Sequence, residues 1–488
     1  MIFFLNAINL VTVLFGFLVQ ILIVRYFGAS DSTDIYYLIV SIITFVTSLS
    51  TGFLTDLFVP IYHDAKKRGF ENAQRLTGSV LTLAFFLGLL LSAVVYFLAP
   101  AFVSIFASGF PHDKALFAVS MLRIIAASIL FTTFSLCLNA TLNANSFFLL
   151  TYLTNLITPA FNLLGLFVGG ARYGIAALMY ATVFSSMTIA GILFIYCKFK
   201  VGARFASPFG QRDLNFLLIK NLPVRGSNVV TLLRGPLTTT VLSYFPAGIL
   251  TLYSYAEKII NVLVGTTNSP LAQVYYTKSS EFASKKDYPS ISGLLVHTVQ
   301  SSAILFAGLF FVTAIMFQKA FGIIFTGKVT PDGIRTMFLL LLALYPYYYA
   351  TLLGTELGAT GLAMKKGRLN FYASVVFVVV LAIFIFPLVK GFSMFGLPVS
   401  LFLAQVSSSI VYVILINRIG RLVGIEFIRV QLNTIVVSIL VIVAGLFTAG
   451  NVDLQILLDS ILLVVWIATS WRDAVNAMKL LTAKGEVK

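Results

Sequence analysis

Charge is what this sequence has least of. Asp, Glu, Lys and Arg make up 10% of its 488 residues while 59% are apolar, against about 25% charged in an ordinary soluble domain. So much apolar surface cannot hide in a water-soluble core, which excludes a soluble enzyme or regulator. Cysteine is scarce too. Cys137 and Cys197 both fall in apolar runs, where a thiol acts as a small hydrophobe, so neither a disulfide framework nor a metal-ligand spacing exists. The three histidines, His63, His112 and His297, are scattered. No Ser–His–Asp set or paired carboxylates can be assembled, and no glycine-rich loop ends in the lysine that cradles phosphate in an ATPase. We expect no enzyme, no cofactor and no metal.

What is present in quantity is apolar run length. A membrane span needs about 20 apolar residues, and such runs lie at 2–24, 35–60, 77–98, 117–141, 147–169, 174–196, 217–245, 249–275, 293–318, 336–360, 370–389, 394–416, 431–449 and 453–470. The first lacks a basic leader and a cleavage site, so it reads as a retained helix. The expected fold is an all-α polytopic membrane protein with 14 transmembrane helices. Residues 1–200 and 217–425 would form two pseudo-symmetric six-helix lobes joined by a cytoplasmic linker at 201–216. Residues 426–488 would add two extra C-terminal helices and a tail.

The net charge of +16 is a topology signal. Of the 33 Lys and Arg, 22 fall in loops after even-numbered spans or in the tail, and 7 in loops after odd-numbered spans. Basic loops stay inside, which places both termini in the cytoplasm and draws anionic lipid heads. With no basic soluble domain, nucleic acid is not a partner.

The two halves echo each other. Tyr26, Phe27, Ala29 and Tyr37 recur as Tyr244, Phe245, Ala247 and Tyr255; Gly52 and Tyr62 recur as Gly265 and Tyr275; Ala140, Thr141 and Ala144 recur as Ala359, Thr360 and Ala363. The offsets are 218, 213 and 219, a drift that loop insertions would give. Duplicated helical bundles are common among alternating-access transporters, which hold substrate between the repeats.

Four cations remain inside spans: Arg123, Arg225, Arg234 and Lys258. A charge at membrane depth costs at least ~2.5 kcal/mol on insertion scales and turns to a bundle interior or a wet cavity. Arg234 and Lys258 sit near the middles of the seventh and eighth spans. Acids at depth are Asp56, Glu257, Glu356 and Asp459, with Asp34 at the outer mouth of the second span. One reading pairs these charges structurally, for example Glu257 or Glu356 with Arg234, and lets Arg123 and Arg225 snorkel. The other is a cationic cavity for a phosphate or diphosphate, which Arg and Lys suit as donors. Glu257 and Lys258 lie about 100° apart on a helix, so one would face the cavity and the other a neighbouring helix. Asn139, Asn143, Asn145, Asn155 and Asn162, the run Thr238–Thr240, and the tyrosines around Pro346 offer either interhelical packing or contacts to sugar.

The stretch Val24-Arg25-Tyr26-Phe27-Gly28-Ala29, followed by Ser32-Thr33-Asp34-Ile35-Tyr36-Tyr37, resembles the helix 1–2 signature of the MurJ/MviN lipid II flippase family. That family lies within the multidrug/oligosaccharidyl-lipid/polysaccharide exporter superfamily. Phe58-Val59-Pro60, Leu142-Asn143-Ala144 and Phe245-Pro246-Ala247-Gly248 through Tyr255-Ala256-Glu257-Lys258 are similar to it as well. The resemblance implies a flippase of the bacterial inner membrane that moves a polyprenyl-diphosphate-linked glycan outward. The cargo would be lipid II-like, or an exopolysaccharide or O-antigen repeat unit. Membrane potential or an H+ or Na+ gradient would supply the energy, and membrane lipids would surround it. By position, Arg25 and Asp34 match the outer-mouth charges, and Glu257-Lys258 falls where the family has Asp-Arg, the second being a cavity residue. Three departures stand out. Val11-Thr12-Val13, Phe17-Leu18-Val19-Gln20 and Thr44-Phe45-Val46 replace arginine-bearing stretches, Thr51 replaces an acid, and spans 7 and 11 lack acids for a cation site. Rival readings are a drug or small-molecule cation antiporter using Asp56 or Glu356, a membrane-embedded glycan ligase or polymerase, and a transport-dead scaffold.

Overall fold

The computed structural model describes residues 2–55, 58–145, 147–209, 214, 229–325, 329–364, 366–420, 422–424, 426–429 and 432–482. The first group of helices is α1 (Ile2–Phe27), α2 (Asp31–Thr55), α3 (Phe58–Lys67), α4 (Phe70–Phe97), α5 (Ala99–Phe106), α6 (His112–Ala144), α7 (Phe148–Thr154), α8 (Ile157–Tyr173), α9 (Ala176–Lys200) and α10 (Arg234–Leu242). The second is α11 (Ile249–Ser284), α12 (Tyr288–Ile324), α13 (Pro331–Ala363), α14 (Arg368–Phe392), α15 (Gly396–Gly420), α16 (Glu426–Arg429), α17 (Leu432–Thr448) and α18 (Val452–Thr482). Most of the described part of each apolar stretch is helical, with breaks at 155–156 in the fifth stretch and at 233 and 243–245 in the seventh. Among the described residues, nine stretches are long and apolar enough to cross a membrane. One of them, Arg368–Gly420, carries both α14 and α15.

Local chemistry sets the helix starts. Thr330 accepts the Gly333 N–H at 3.1 Å and Pro331 opens α13, a position where its missing N–H is no loss. Asp287 caps α12 by accepting the Ser290 N–H at 3.2 Å and the Ser290 hydroxyl at 2.6 Å. Those two donors hold its carboxyl below the usual carboxylate range. The distribution of side chains is inverted relative to a soluble protein. Phe86, Leu90 and Phe97 on α4, Phe386 on α14 and Phe447 on α17 are exposed, while Asp34, Glu356 and Asp459 are buried. Exposed apolar surface on this scale calls for lipid around it.

The chain divides into two compact units, Met1–Thr251 and Leu252–Lys488. In the first, α6 packs on α2, α4 and α9, and α8 packs on α9. In the second, α13 packs on α12 and α15, α14 packs on α15, and α17 and α18 join against α12. The order of pairings is the same, and so are particular contacts. Tyr62 donates to Asn145 Oδ1 at 3.0 Å, one turn along α6 from Thr141. Its echo Tyr275 hydrogen-bonds Thr360, the echo of Thr141. Each of these tyrosines is buried in its unit's core, one beside Phe58, Leu76 and Leu138, the other beside Leu295, Leu357 and Tyr412.

Two glycines are required by close approach. A Cβ on Gly109, in the turn before α6, would sit 2.6 Å from the Ser243 and Tyr244 backbone. Gly248 has φ +90°, and a Cβ there would meet the Ala29 carbonyl oxygen at 2.9 Å. Gly248→Ala therefore combines left-handed strain with a backbone clash and should destabilise the protein by about 1–3 kcal/mol. A lowered melting temperature of the purified protein in detergent would register it.

Candidate functional site

The most closely bonded charges lie at one end of the first unit, where three segments converge. Gly28 (φ +65°) turns the chain out of α1. Thr33 Oγ1 accepts the Ser30 N–H at 2.9 Å, which sets the first turn of α2 and directs Asp34 inward. Asp34 is 2% exposed. Its Oδ2 accepts from Lys114 Nζ at 2.9 Å and from the Gly248 N–H at 2.8 Å. Its Oδ1 accepts from the Thr251 N–H at 3.0 Å and the Thr251 hydroxyl at 2.6 Å. The two amides belong to the start of α11, where a helix has no internal acceptors of its own. Asp34 thus acts as a cap borrowed from another helix, with its negative charge at the positive end of α11. Lys114 also reaches Asp31 at 2.6 Å and lies over the Phe110 ring at 4.1 Å. Every oxygen of Asp34 is taken by protein donors, so the group is a clasp.

In the sequence, Lys114 counted only as a loop charge, and Gly248 and Thr251 carried no signal for Asp34. The repeat explains their pairing. At the same offsets, Asp34 and Lys114 correspond to Leu252 and Gly333, and a Cβ on Gly333 would lie 3.9 Å from Leu252 Cδ1. The first unit has an ion pair where the second sets a glycine near a leucine side chain.

The remaining candidates are placed as follows. Arg25 ends α1 and is exposed. Arg123 is exposed on α6, with its guanidinium 5.7 Å from the Tyr96 ring centre and Nε 3.4 Å from the Tyr96 carbonyl oxygen. Arg234 begins α10, half-buried, where α10 packs on α2 and α5. Lys258 is half-buried on α11. Next to it, Glu257 accepts the Tyr348 hydroxyl from α13 at 3.1 Å. Glu356, on α13, is fully buried, and neither carboxyl oxygen has a hydrogen-bond partner among the described residues. Asp459 accepts from Gln455 at 2.8 Å, and Gln455 also bonds the Ala314 carbonyl of α12 at 2.7 Å. Asp56 and Arg225 lie outside the described residues.

Most of the neutral polar candidates are used in packing. Asn145 joins Tyr62, Asn143 accepts from Thr151, and Asn162 accepts from Thr182. Thr239 and Thr240 bond back to the Pro236 carbonyl. Tyr345 stacks on Phe306 with ring centres 5.2 Å apart and bonds Ser438; Tyr347, Tyr348 and Tyr349 are buried too. Those rings are committed to the interior of the second unit.

Among the described residues the chain is all-helical, with an apolar exterior, buried carboxyls and half-buried cations within its helices, the architecture of a polytopic membrane protein. A solved lipid II flippase MurJ in an inward closed conformation has the same fold, with a TM-score of 0.77 at 16% identity over 97% of this chain and 100% of that one. An inward-facing multidrug resistance MATE family transporter of the MOP superfamily follows at 0.71, with 13% identity over 86% and 94%. The family model described as Lipid II flippase MurJ matches residues 23–465, and the chain belongs to that family. Among curated relatives, a probable lipid II flippase MurJ of Buchnera aphidicola subsp. Acyrthosiphon pisum is 24% identical over 66% of this chain and 67% of its own length. The lipid II flippase MurJ of Thermosipho africanus is 27% identical over 33% of each chain.

Proposed function

We propose that this protein is a flippase that carries a polyprenyl-diphosphate-linked glycan from the cytoplasmic to the outer leaflet by alternating access. The observation that carries this is the family match over residues 23–465. Lipid II is the cargo named for its relatives; an exopolysaccharide or O-antigen unit would present the same diphosphate. Lys258 is the first candidate to hold that diphosphate, with Arg234 and Arg225 as further candidate cations, each to be tested on its own. Arg25, Arg123 and the Asp34 clasp serve the outer end, where the clasp closes that side and must loosen for release. The full arrangement is 14 spans in two six-helix lobes, at 1–200 and 217–425, with a linker at 201–216 and two more helices in 426–488. It lies in the bacterial inner membrane with both termini cytoplasmic. An inside-negative potential favours outward movement of the anionic headgroup by ~2.3 kcal/mol per charge per 100 mV.

The test is flipping by the purified full chain in proteoliposomes. A fluorescent polyprenyl-diphosphate glycan should become accessible to an impermeant quencher only where the protein is present, while an organic cation is not accumulated. Uptake of the cation without movement of the glycan would instead favour the antiporter reading, which the MATE-like fold keeps in view.

A further inference from the structure

We propose that Glu356 binds a proton and that this proton is the coupling ion, a step that rests on the transport reading above. Tyr348, Leu352, Glu356 and Thr360 follow at intervals of four along α13 and so share one face. Two of them reach α11: Tyr348 bonds Glu257 at 3.1 Å, and Thr360 bonds Tyr275. Glu356 lies between these ties, fully buried, with both carboxyl oxygens unpartnered among the described residues. On α11, between Glu257 and Tyr275, the buried Asn268 Oδ1 also lacks a partner among the described residues. Among the described residues, the three acceptor oxygens of Glu356 and Asn268 receive no hydrogen bond.

Among the described residues, no cation pairs with Glu356. The core cluster around the adjacent Leu357 contains Tyr275 of α11 and Tyr412 of α15 as its buried titratable groups, while Glu257 and Lys258 lie further along α11. From α12 come Leu295 and Val299, and from α14 Ala373. The titratable groups on α13 nearest in sequence, Tyr348 and Tyr349, lie about two turns away, and α17 carries none. Lys278 and Glu281 at the far end of α11, His297 on α12, Lys366 before α14 and Arg368 at its start are exposed. An ionised carboxylate buried without partners is costly enough that such a group takes up a proton or a cation instead. A metal ion would gather hydroxyls around itself. Here the Tyr275 and Thr360 hydroxyls are spent on each other, and Thr360 also donates to the Glu356 main-chain oxygen at 2.8 Å. The arrangement fits a proton.

The repeat indicates that packing does not require the acid. At the offset that relates Thr360 to Thr141, Glu356 corresponds to Cys137. Cys137 is also buried, and its main-chain oxygen accepts from Thr141 at 3.0 Å in the same way. One unit fills this position with an apolar thiol; the other has placed a carboxyl there.

Two measurements on the full chain test the proposal. In infrared spectra of the wild type at neutral pH, the carbonyl stretch of a protonated carboxylic acid should be present and shift with 13C-glutamate labelling. It should vanish in Glu356→Gln and in Glu356→Cys, the latter being the side chain the other unit tolerates. Absence of that band in the wild type overturns the proposal without recourse to any variant. In proteoliposomes clamped at zero potential, an acid-outside gradient of one pH unit should raise glycan flipping by up to about tenfold for one coupled proton. Both variants should lose that response. A response that persists in correctly folded variants, or one that a sodium gradient reproduces without a pH gradient, would also overturn the assignment. If the wild type shows the infrared band but moves no glycan, the flippase reading fails and the proton site stands.

Discussion

Replacing Asp34 with alanine should destabilise the protein by about 3–5 kcal/mol, the range for breaking a buried, hydrogen-bonded ion pair from one side. The size follows from what is left behind. Lys114, its side chain 9% exposed, would keep Asp31 at 2.6 Å and the Phe110 ring but lose its buried carboxylate. The Gly248 and Thr251 amides would lose their acceptor at the start of α11, and orphaned buried donors cost about 1–3 kcal/mol each, though not additively. Asp34→Asn should cost less, because its amide oxygen still accepts from α11 while its NH2 meets the Lys114 ammonium unfavourably. Lys114→Met should cost least, since three α11 donors continue to hold the carboxylate. Thermal unfolding of the purified variants in detergent would rank them, and a double-mutant cycle between Asp34→Asn and Lys114→Met would isolate the pair. An alanine variant that melts with the wild type would show that the clasp bears no load.

The positions of the helices were legible in the sequence because a bilayer imposes a minimum apolar length, and run length is a local property. The sequence echo has a local counterpart, since Tyr62 and Tyr275 are each buried in their unit's core and hydrogen-bond Asn145 and Thr360. The facing of individual side chains was less legible. For Arg123 the sequence left open a bundle-facing or a snorkelling charge, and the side chain lies over Tyr96 on an exposed face of α6; an apolar run carries little record of helix rotation when every side of it is apolar. The Asp34 clasp was hidden for a different reason. Its partners lie 80 residues away at Lys114 and 217 away at Thr251, and two of the four bonds come from backbone amides, which leave no trace in residue identity. Glu356 stood out as an acid at depth. That it lacks a partner among the described residues is a property of packing, which sequence does not encode locally.

Lys258→Ala should reduce flipping of the lipid-linked glycan by tenfold to a hundredfold or more, with expression and melting temperature near wild type. A hydrogen bond to a charged group contributes about 1.5–3 kcal/mol, and each 1.4 kcal/mol corresponds to about tenfold. Lys258 lies nine residues into α11, about 13 Å along the helix axis, at a depth where lipid offers a diphosphate no alternative donor. Glu257 sharpens the case. It is tied to Tyr348 on α13, and adjacent helical residues project about 100° apart, so the lysine leaves the helix in a direction different from the acid's. Lys258→Arg should retain most activity, because a guanidinium presents two N–H donors to a phosphate, whereas Lys258→Gln should behave like alanine. Arg234→Ala, measured separately, should fall in the same range if its guanidinium also serves the cargo. Rates measured in proteoliposomes decide it: wild-type flipping by both Lys258→Ala and Arg234→Ala would remove the diphosphate-binding role from these two cations. Loss in Lys258→Gln with retention in Lys258→Arg would tie the function to charge rather than to side-chain bulk.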